Sequence, residues 1–528
     1  MVNLMNNAEP STDFIPIRQI DKKLPLIKAQ LLKQLEDRYC VKYQIPSYQL
    51  MQRAGESAWA LIQKHYPKSN NVVVVVGPGN NGGDGLEVAS LAHQAGRAVT
   101  ILCSFDPLKH PMQGDAAIAF EKANKYGVPF KAYHHQDLAN ADLIVDALLG
   151  TGACAPARPN MSEIINAINQ SQKPIFSLDI PSGLEADTGC QIDTAVNATN
   201  TLSFIALKPG LVTADGKDLC GRVFLATLDF DREDLNDPHS HMLSYLAHNS
   251  QLSCCFAHRR QNSHKGDYGR VLIIGGNIGM GGAVLLASRA ACRSGAGAVS
   301  LITRPEHVFA ALVHTPEVMV IGALDSDNIQ ANDAIAKASA IVIGPGLGKD
   351  DWAQFWLTKI LSLKKPTIVD ADGLTLAKDL KLDLKHCVIT PHPGEAAYLL
   401  ETSTAKIQQQ RYQVSMELQS KMAKIVILKG SGSLICDGTT IHVCPHGNPA
   451  MATAGMGDVL AGIIGSFLAQ SEMPNPAFAG MMLHSMAADL ATKAHPSGLI
   501  ASDVIEKIPE ALQHIISKYL PTESDLIP

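Results

Sequence analysis

One aspartate, Asp458, lies behind a run of small residues and in front of an apolar run, in the stretch GNPAMATAGMGDVLAG from Gly447 to Gly462. Glycines let a backbone turn its N–H groups inward at a helix N-terminus, which is a geometry that binds phosphate and stabilises a transferring phosphoryl group. Asp458 could then take a proton from an acceptor hydroxyl. N-capping is the structural alternative, but a cap does not require the glycines. The stretch predicts a phosphate cradle with Asp458 as the base.

A second glycine-rich segment, GPGNNGGDG from Gly77 to Gly85, comes directly after the β-branched run Val72–Val76 and before a predicted helix. Its G-x-G-x-x-G spacing favours backbone N–H groups that receive a phosphate, although alone it is also typical of tight turns. Asn80, Asn81 and Asp84 add polar side chains that a plain turn does not need. No acidic residue about 20 residues further on fits the ribose-binding role, so a standard dinucleotide oxidoreductase is not favoured.

Two more strand ends in the first half carry carboxylates, Asp146 in VDALLGTG and Asp179 in SLDIPSG, and the latter also carries Ser182. Carboxylates at such positions can hold a cation or move a proton. Capping or turn formation is the structural alternative for any one of them. Together with Asp84 they favour a functional site over three structural turns.

The second half repeats the pattern of short apolar strands that end in glycine, proline or a carboxylate. Its strand ends are GPGLG (344–348), DADGL (370–374), TPHPGE (390–395) and LKGSGS (428–433). In open α/β sheets ligands lie beyond the carboxyl ends of the strands. The lysine of LKGSGS, Lys429, suits an anionic nucleotide.

These segments need parallel strands and crossover helices to position them, and the alternation along the chain indicates an α/β fold in two domains. A chain of 528 residues is also too long for one ordinary core. The pattern is helical from Leu24 to Tyr66, and charged and turn residues collect between 230 and 251. We predict a flexible extension at 1–20, a first domain at 21–235, a linker at 236–250 and a second domain at 251–520.

Composition narrows the class of protein. The net charge is −6 and no basic run occurs, so the sequence does not favour nucleic acid as a partner. No apolar run approaches the ~20 residues that span a bilayer, and the N-terminus has no signal-peptide pattern. The 11 cysteines include no C-x-x-C pair, which indicates neither a disulfide framework nor a zinc site. A cytoplasmic enzyme that does not bind membranes is the expectation.

The motifs GPGNNGGDGLEVA, DALLGTG and SLDIPSG together resemble the N-terminal, Rossmann-like domain of the NAD(P)H-hydrate repair enzymes. In that family this domain is an epimerase that interconverts the R and S forms of hydrated NADH and NADPH. The resemblance implies Asp179 as the acid/base and a potassium ion on Asn81, Asp146 and Ser182. The implied contacts to the hydrated nucleotide are Asn80, Asn81, Gly82, Gly83, Asp84, Gly150, Thr151, Gly152, Ala153, Cys154, Ala155, Pro156 and Asp179.

The A-G-x-G-D arrangement at Asp458 resembles the ribokinase-like superfamily, and with GPGLG, DADGL and TPHPGE it resembles the dehydratase domain of the same repair family. The resemblance runs from about Leu24 to Leu512. It implies that ADP, with Mg²⁺, phosphorylates the C6 hydroxyl of the S-hydrate and that phosphate then leaves, restoring NAD(P)H and giving AMP. The implied contacts to the hydrated cofactor are Ala283, Gly346, His392 and Asp458, and those to AMP are Lys429, Gly430, Ser431, Gly432, Ser433 and Gly457.

The sequence departs from the family's usual pattern in the stretch before Asp458. Ala450 stands where the family usually has glycine, and Met456 where it usually has threonine. Ala450 would cost about 1–2 kcal/mol if that position needs a left-handed backbone. We therefore predict a working site with altered nucleotide affinity.

Two other functions fit parts of the sequence. A ribokinase-type kinase of a small molecule would explain the motif at Asp458, but not the first-half motifs. A non-catalytic binding module would explain the first-half fold, but not the four aspartates at strand and loop ends. The repair enzyme, which the family resemblance favours as a homo-oligomer, explains both halves.

Overall fold

The computed structural model describes residues 16–17, 22–152, 159–235, 243–256, 258–325, 327–470 and 473–520. The chain divides into two compact units, one of residues 1–20 and 24–240, the other of residues 21–23 and 241–528. Most of the extension predicted at 1–20, and residues 236–242 of the predicted linker, lie outside the described residues.

The first unit alternates strands and helices. Its strands are β1 Leu24–Leu26, β2 Asn71–Val76, β3 Ala98–Cys103, β4 Phe130–Ala132, β5 Leu143–Ala147, β6 Ile175–Leu178, β7 Asn200–Phe204 and β8 Arg222–Ala226. Its helices are α1 Ala29–Tyr43, α2 Ser47–His65, α3 Asn80–Gln94, α4 Gly114–Lys125, α5 Pro159–Gln170 and α6 Gly216–Leu219.

A parallel sheet in the order β4-β3-β2-β5-β6-β7-β8 forms the centre of the first unit. The predicted strand Val72–Val76 is fully buried in β2, as a strand covered on both faces requires. β2 pairs with β3 on one side and with β5 on the other, so the chain order reverses there. A crevice at the carboxyl ends of the strands opens at such a reversal.

The helical prediction from Leu24 to Tyr66 is wrong at its start. Leu24–Leu26 is a strand, and Leu26 forms a parallel bridge with Leu207. Pro25 explains the difference, because a proline disfavours the helical region for the residue before it. The two helices that follow are separated at Gln44, whose φ of 54° ends α1.

The second unit contains the remaining elements. Its strands are β9 Leu243–Leu246, β10 Arg270–Ile274, β11 Ala298–Thr303, β12 Met319–Gly322, β13 Ala340–Ile343, β14 Thr367–Val369, β15 Val388–Ile389, β16 Ile425–Leu428, β17 Leu434–Cys436 and β18 Thr440–Val443. Its helices are α7 Gly281–Arg293, α8 Val308–His314, α9 Ile329–Lys337, α10 Asp351–Ser362, α11 Asp372–Asp379, α12 Pro393–Leu399, α13 Thr404–Gln409, α14 Arg411–Met422, α15 Met456–Ala469, α16 Pro476–Ala494 and α17 Ala501–Tyr519.

The strands of the second unit follow the order β9-β18-β17-β16-β15-β14-β13-β10-β11-β12. Pairing is parallel except at β16–β17 and β17–β18, and the order reverses at β10, which lies between β11 and β13. Helix α15 packs closely on α7, because a Cβ at Gly462 would lie 2.1 Å from the carbonyl oxygen of Ala287. This packing places the N-terminus of α15 above the carboxyl ends of the central strands.

The described cysteines are all free thiols. Within the described ranges, no helix combines the length and hydropathy that crossing a bilayer demands.

Candidate active sites

The first candidate site lies where β2 and β5 end. Helix α3 starts at Asn80, so the segment predicted to precede the helix, Gly77 to Gly85, lies before it only as far as Gly79 and otherwise forms its first turns. A Cβ at Gly82 would lie 2.0 Å from the carbonyl oxygen of Gly77, and one at Gly77 would lie 1.9 Å from that of Leu148. Only glycine fits at these two positions, so the loop brings the N-terminus of α3 against the segment that follows β5.

Asp146, at the end of β5, is fully buried among hydrogen-bond donors. Its carboxylate accepts hydrogen bonds from the Ser177 hydroxyl at 2.8 Å and from the Ser182 hydroxyl and backbone N–H at 2.6 and 2.9 Å. Burial raises the pKa of Asp146, while the bonds from the two serines lower it. The carboxylate is therefore held in one orientation.

Asn81 and Ser182 meet at the carbonyl oxygen of Leu149. The Asn81 amide donates to this oxygen at 2.9 Å, and the hydroxyl oxygen of Ser182, whose proton is given to Asp146, lies 3.3 Å from it. The side-chain oxygen of Asn81 is buried and has no hydrogen-bond partner within the described residues. The structure thus brings the three predicted potassium ligands together and leaves a buried oxygen there that a cation would satisfy.

Asp179, the predicted acid/base, occupies a strained turn at the end of β6. Its φ is 63°, and the N–H of Ile180 donates to the carbonyl oxygen of Leu178 at 2.7 Å. Such a γ-turn with positive φ at its centre is rare. The carboxylate accepts from the N–H of Phe204 at 3.1 Å and is ion-paired with Lys208.

Lys208 is a site residue that the sequence analysis did not identify. Its side chain is fully buried, and its ammonium also donates to the hydroxyl of Ser203 and the carbonyl oxygen of Phe204, both at 3.1 Å. A buried charge of this kind requires a partner, and here the partner is Asp179. The available signal was one lysine inside the apolar run FIALKPGL.

Two further carboxyl groups have pKa values that the charge of Asp179 helps to raise. Burial, and then the charge of Asp179, raise the pKa of Asp84. The same two causes, in the same order, raise the pKa of Glu36 to about 7. Glu36 is the second residue that the sequence analysis missed.

The predicted loop contact is only partly described. Gly150 lies beside Asn81, since a Cβ at Gly150 would be 3.2 Å from that of Asn81. Thr151 and Gly152 form a turn, and a Cβ at Gly152 would meet no atom within 4 Å among the described residues. Ala153, Cys154, Ala155 and Pro156 lie outside the described residues.

The second candidate site is built around the ends of β10, β13, β14 and β16. Gly346 has a φ of 54°, and a Cβ there would lie 3.2 Å from the Cβ of Ala283 in the first turn of α7. The N–H of Asn277 donates to the carbonyl oxygen of Gly346 at 2.7 Å. The predicted cofactor contacts Ala283 and Gly346 are therefore neighbours.

Lys429 and Asp370 form a buried ion pair at the centre of this site. The ammonium lies 2.9 Å from the Asp370 carboxylate and 3.8 Å from that of Glu395. The hydroxyl of Thr390 donates to the same Asp370 oxygen at 2.7 Å. Burial alone would lower the pKa of Lys429, but the two carboxylates raise it above its usual value. The lysine therefore stays charged.

The turn from Lys429 to Ser433, predicted to contact AMP, is stabilised by hydrogen bonds from the side chain of Arg411. This buried guanidinium donates to the carbonyl oxygens of Lys429 and Gly432, both at 3.3 Å. A Cβ at Gly430, whose φ is 138°, would lie 2.7 Å from the Arg411 guanidinium. The sequence analysis did not identify Arg411, because a single arginine at the start of α14 resembles a solvated helix residue.

Asp458 lies in the first turn of α15, which begins at Met456. The N-cap of that helix is Gly455, with a φ of 89° and no side-chain cap, so the capping alternative for Asp458 is wrong. A Cβ at Gly457 would lie 3.2 Å from the Lys429 ammonium and 3.3 Å from the Asp370 carboxylate. The helix N-terminus and the ion pair therefore share one site.

Asp458 differs from its neighbours in lacking a hydrogen-bond partner for its carboxylate within the described residues. Burial, and then the negative charge of Asp370, raise its pKa to about 7, against the opposing effect of Lys429. A carboxylate with this pKa can accept a proton near neutral pH and release it again.

Two other predicted residues have evident structural roles. His392 is the N-cap of α12, and its ring accepts from the N–H groups of Gly394 and Glu395 at 3.0 and 3.2 Å. Its side chain is 56% exposed, so the other face of the ring is accessible. Ala450 lies in the turn Pro449–Met451 and its φ is not positive, so the strain considered for this substitution does not arise.

No group of three or more histidine, cysteine, aspartate or glutamate side chains within the described ranges is arranged to hold a metal ion. The candidate potassium ligands differ from such a cluster, since an amide, a hydroxyl and one carboxylate make up the set.

Two family models match the chain, one in each unit. Residues 47–210 match the YjeF-related protein N-terminus. Residues 271–510 match the NAD(P)H-hydrate dehydratase model.

Full-length relatives are also similar. A bifunctional NAD(P)H-hydrate repair enzyme from Coxiella burnetii is 39% identical over 91% of this chain and 97% of its own length. The enzyme of the same name from Escherichia coli is 40% identical over 89% of this chain and 90% of its own length. A solved ADP/ATP-dependent NAD(P)H-hydrate dehydratase from Bacillus subtilis is 26% identical over 51% of this chain and 97% of its own, with a TM-score of 0.46.

Proposed function

Because this chain belongs to the family of bifunctional NAD(P)H-hydrate repair enzymes, an epimerase joined to a dehydratase, we propose how its two sites divide the repair. The site of the first unit interconverts the R and S hydrates. The site of the second unit removes water from the S-hydrate with ADP as phosphoryl donor. The observation that carries the proposal is Asp458, in the first turn of α15, against the Lys429–Asp370 pair.

In the second site, dehydration takes two steps. Hydroxide is a poor leaving group, so the C6 hydroxyl first receives the β-phosphoryl group of ADP, leaving AMP. Asp458 takes the hydroxyl proton, and the N–H groups at the start of α15, with the Lys429 ammonium, stabilise the transferring charge. Phosphate then leaves C6 as the proton at C5 is lost, and the ring double bond of NAD(P)H returns. Mg²⁺, entering with ADP, would neutralise phosphate charge.

The remaining residues of the second site bind and orient. We assign the hydrated ring to Ala283, Gly346, His392 and Asp458, and AMP to Lys429, Gly430, Ser431, Gly432, Ser433 and Gly457. The supporting geometry is the Arg411-held turn from Lys429 to Ser433, which faces the N-terminus of α15.

In the first site, Asp179 is the base. Epimerisation at C6 proceeds when the hydroxyl proton is removed and the C6–N1 bond opens, so that C6 becomes an aldehyde while N1 keeps the electron pair and takes up a proton. N1 then attacks the other face of the aldehyde, loses that proton, and the C6 hydroxyl forms again. The ion pair with Lys208 and the hydrogen bond from the Phe204 N–H hold the Asp179 carboxylate in one orientation. The nucleotide phosphates are assigned to the segment from Asn80 to Asp84, which forms the N-terminal turn of α3.

Potassium fits the first site by the chemistry of the donor set. The unpartnered buried oxygen of Asn81, the Asp146 carboxylate and the Ser182 hydroxyl would hold the ion, all through oxygen. When bound, the ion supplies positive charge near the nucleotide. Rates measured in K⁺ and in Na⁺ of equal ionic strength test this assignment, and equal rates would contradict it.

The test of both sites uses chemically hydrated NADH as a mixture of epimers. Recovery of absorbance at 340 nm is followed with ADP, with ATP and without nucleotide. Complete recovery that requires ADP supports both assignments. Recovery that stops at the S fraction would contradict the epimerase assignment for the first unit. Failure with both nucleotides would contradict the dehydratase assignment and favour a ribokinase-type kinase.

A further inference from the structure

The second sheet ends at β12, and this edge carries an exposed apolar surface. Six large apolar side chains of α8, β12 and the start of α9 are between 46 and 82% exposed, and we call them the β12-edge surface: Phe309, Leu312, Val313, Met319, Leu324 and Ile329. Single apolar residues scattered over a surface are ordinary, but a cluster of them is typical of an interaction site.

Helix α8 contributes an outward apolar stripe. Phe309, Leu312 and Val313 follow the i, i+3, i+4 spacing that places side chains on one side of a helix. The start of α8 lies against β12, because a Cβ at Gly322 would be 2.9 Å from the side chain of Val308. The helix therefore packs on the edge strand while its apolar stripe points away from the core.

Strand β12 lacks the usual protection of a sheet edge. It is the last strand of its sheet and, among the described strands, pairs only with β11. Charged side chains on an edge strand prevent it from pairing with another chain. Both edge strands of the first sheet have such a residue, Lys131 in β4 and Arg222 in β8. The sequence of β12, MVIG, has none, so this edge is suited to pairing with a further strand.

The area of the β12-edge surface fits a dimer interface. Fully exposed side chains of this size present on the order of 150 Å² each, so the six together present on the order of 500 Å². Two copies would bury on the order of 1,000 Å² of apolar surface, which corresponds to about 1,500–1,800 Å² in total at the usual apolar share of an interface. Stable complexes bury about 1,200–2,000 Å².

The surface includes both faces of the sheet as well as its edge. Helix α8 connects β11 to β12, and α9 leads back from β12 to β13 across the neighbouring strands. Because right-handed crossovers that run in opposite directions place their helices on opposite faces, α8 and Ile329 of α9 lie on either side of β12. A partner that covers the surface must itself have a strand edge with apolar residues on both faces.

A second copy of this chain has that form. We propose that the β12-edge surface is the interface between two copies, related by a two-fold axis perpendicular to the sheet. The axis sets the two β12 strands side by side and antiparallel, and it sets the α8 stripe of one copy against the same stripe of the other. Each apolar layer then meets its own counterpart, and the two sheets continue into each other.

The experiment measures the mass of the full-length protein in solution by sedimentation velocity, from nanomolar to high micromolar concentration. Wild type is compared with Phe309→Glu and with Leu312→Lys, two separate changes in the α8 stripe. Leu108→Glu is the matched control, because Leu108 is 94% exposed and belongs to the first unit. Far-UV circular dichroism and denaturant unfolding show whether each variant is folded.

Wild type should sediment with an even multiple of the mass of one chain. The two-fold axis repeats each substitution, so a stripe variant brings two like charges into the interface, and its dissociation constant should rise about 100-fold or more. Both stripe variants should therefore sediment with half the wild-type mass over a range of concentrations where Leu108→Glu keeps the full mass.

Three outcomes would overturn the inference. A wild type that is monomeric at every concentration would mean that the surface binds a different protein. Folded stripe variants that keep the wild-type mass would place the interface elsewhere on the molecule. Equal dissociation of Leu108→Glu would show that added charge, rather than the position of the substitution, separates the copies.

Discussion

The two candidate sites use a buried lysine in different ways. In the first unit, Lys208 pairs with Asp179, the proposed base itself. In the second unit, Lys429 pairs with Asp370, and the proposed base Asp458 has no hydrogen-bond partner among the described residues. Each site nevertheless contains one carboxylate paired with lysine and one whose pKa is raised to about 7, Glu36 in the first unit and Asp458 in the second.

The difference follows from the reactions. Phosphoryl transfer requires one proton to leave a hydroxyl, so a single carboxylate that accepts a proton near neutral pH is enough. The lysine of the second unit is therefore not paired with the proposed base, and its charge can stabilise phosphate. In ring opening the proposed base takes a proton from the C6 hydroxyl, and an ion pair with a buried lysine holds that base in one position. The lysine of the first unit, Lys208, is therefore paired with the proposed base Asp179 itself.

The largest effect expected is loss of dehydration in Asp458→Asn. Removing a general base lowers kcat by about 10²–10⁴-fold, while epimerisation in the same chain should be unchanged. Wild-type kcat/KM for dehydration should rise with pH through about 7, as Asp458 ionises. Absorbance recovery at 340 nm with S-hydrate and ADP measures both, and Asp333→Asn, an exposed acid of α9, is the control. An Asp458→Asn variant that kept its dehydration rate would contradict the role of Asp458 as the base.

Asp179→Asn should have the converse effect, a loss of epimerisation without a loss of dehydration. Epimerisation should fall by about 10²-fold, since the amide cannot accept the hydroxyl proton, and dehydration of pure S-hydrate should persist. Chromatographic separation of the R and S forms measures the first rate and absorbance measures the second. A lowered melting temperature would mean instead that the uncompensated charge of Lys208 has destabilised the first unit.

The raised pKa values of Glu36 and Asp458 also predict changes of stability with pH. A carboxyl whose folded pKa lies above its unfolded value loses stability as pH rises from the unfolded pKa to the folded one. For Glu36, raised from 4.5 to about 7, the loss is at most about 3 kcal/mol. Glu36→Gln should therefore raise the melting temperature at pH 8 and not at pH 4.

Asp458→Asn should show the same pattern, with an upper limit of about 4 kcal/mol for a shift from 3.8 to about 7. Calorimetry at the two pH values tests both variants. A gain at pH 4 equal to that at pH 8 would assign the effect to packing rather than to charge.

The smallest effects concern the glycines that open the two helices. Gly457→Ala should raise KM for ADP severalfold with little change in stability, because its Cβ would only touch the Lys429–Asp370 pair at 3.2 and 3.3 Å. Gly82→Ala should destabilise the first unit, because its Cβ would lie 2.0 Å from a backbone oxygen. Denaturant unfolding and ADP titration distinguish these outcomes, and equal destabilisation by both would contradict them.

Much of both sites could be predicted from local motifs. Asp146 and Asp179 lie where apolar strands end, and parallel sheets bring such ends together. Lys208 and Arg411 could not be predicted, because their importance depends on burial by distant segments. A lysine or arginine near an apolar run is usually solvated.

The sequence contains only a weak signal for the position of Glu36. The spacing of Leu32, Leu35 and Tyr39 predicts a buried stripe, and the acid interrupts it. Only the fold shows that this acid is half-buried and that the charge of Asp179 raises its pKa after burial does. The strand at Leu24–Leu26 was missed for a local reason, since the adjacent helical periodicity extended the prediction across Pro25.

The end of β7 repeats the turn at Asp179. Ile205 has a φ of 66°, the N–H of Ala206 donates to the carbonyl oxygen of Phe204 at 2.7 Å, and Phe204 in turn contacts both Asp179 and Lys208. A β-branched residue is poorly suited to that backbone. In a library of variants at position 205, a screen for heat resistance should therefore enrich glycine and asparagine. A screen for turnover should instead reject substitutions that move Phe204 away from Asp179 and Lys208.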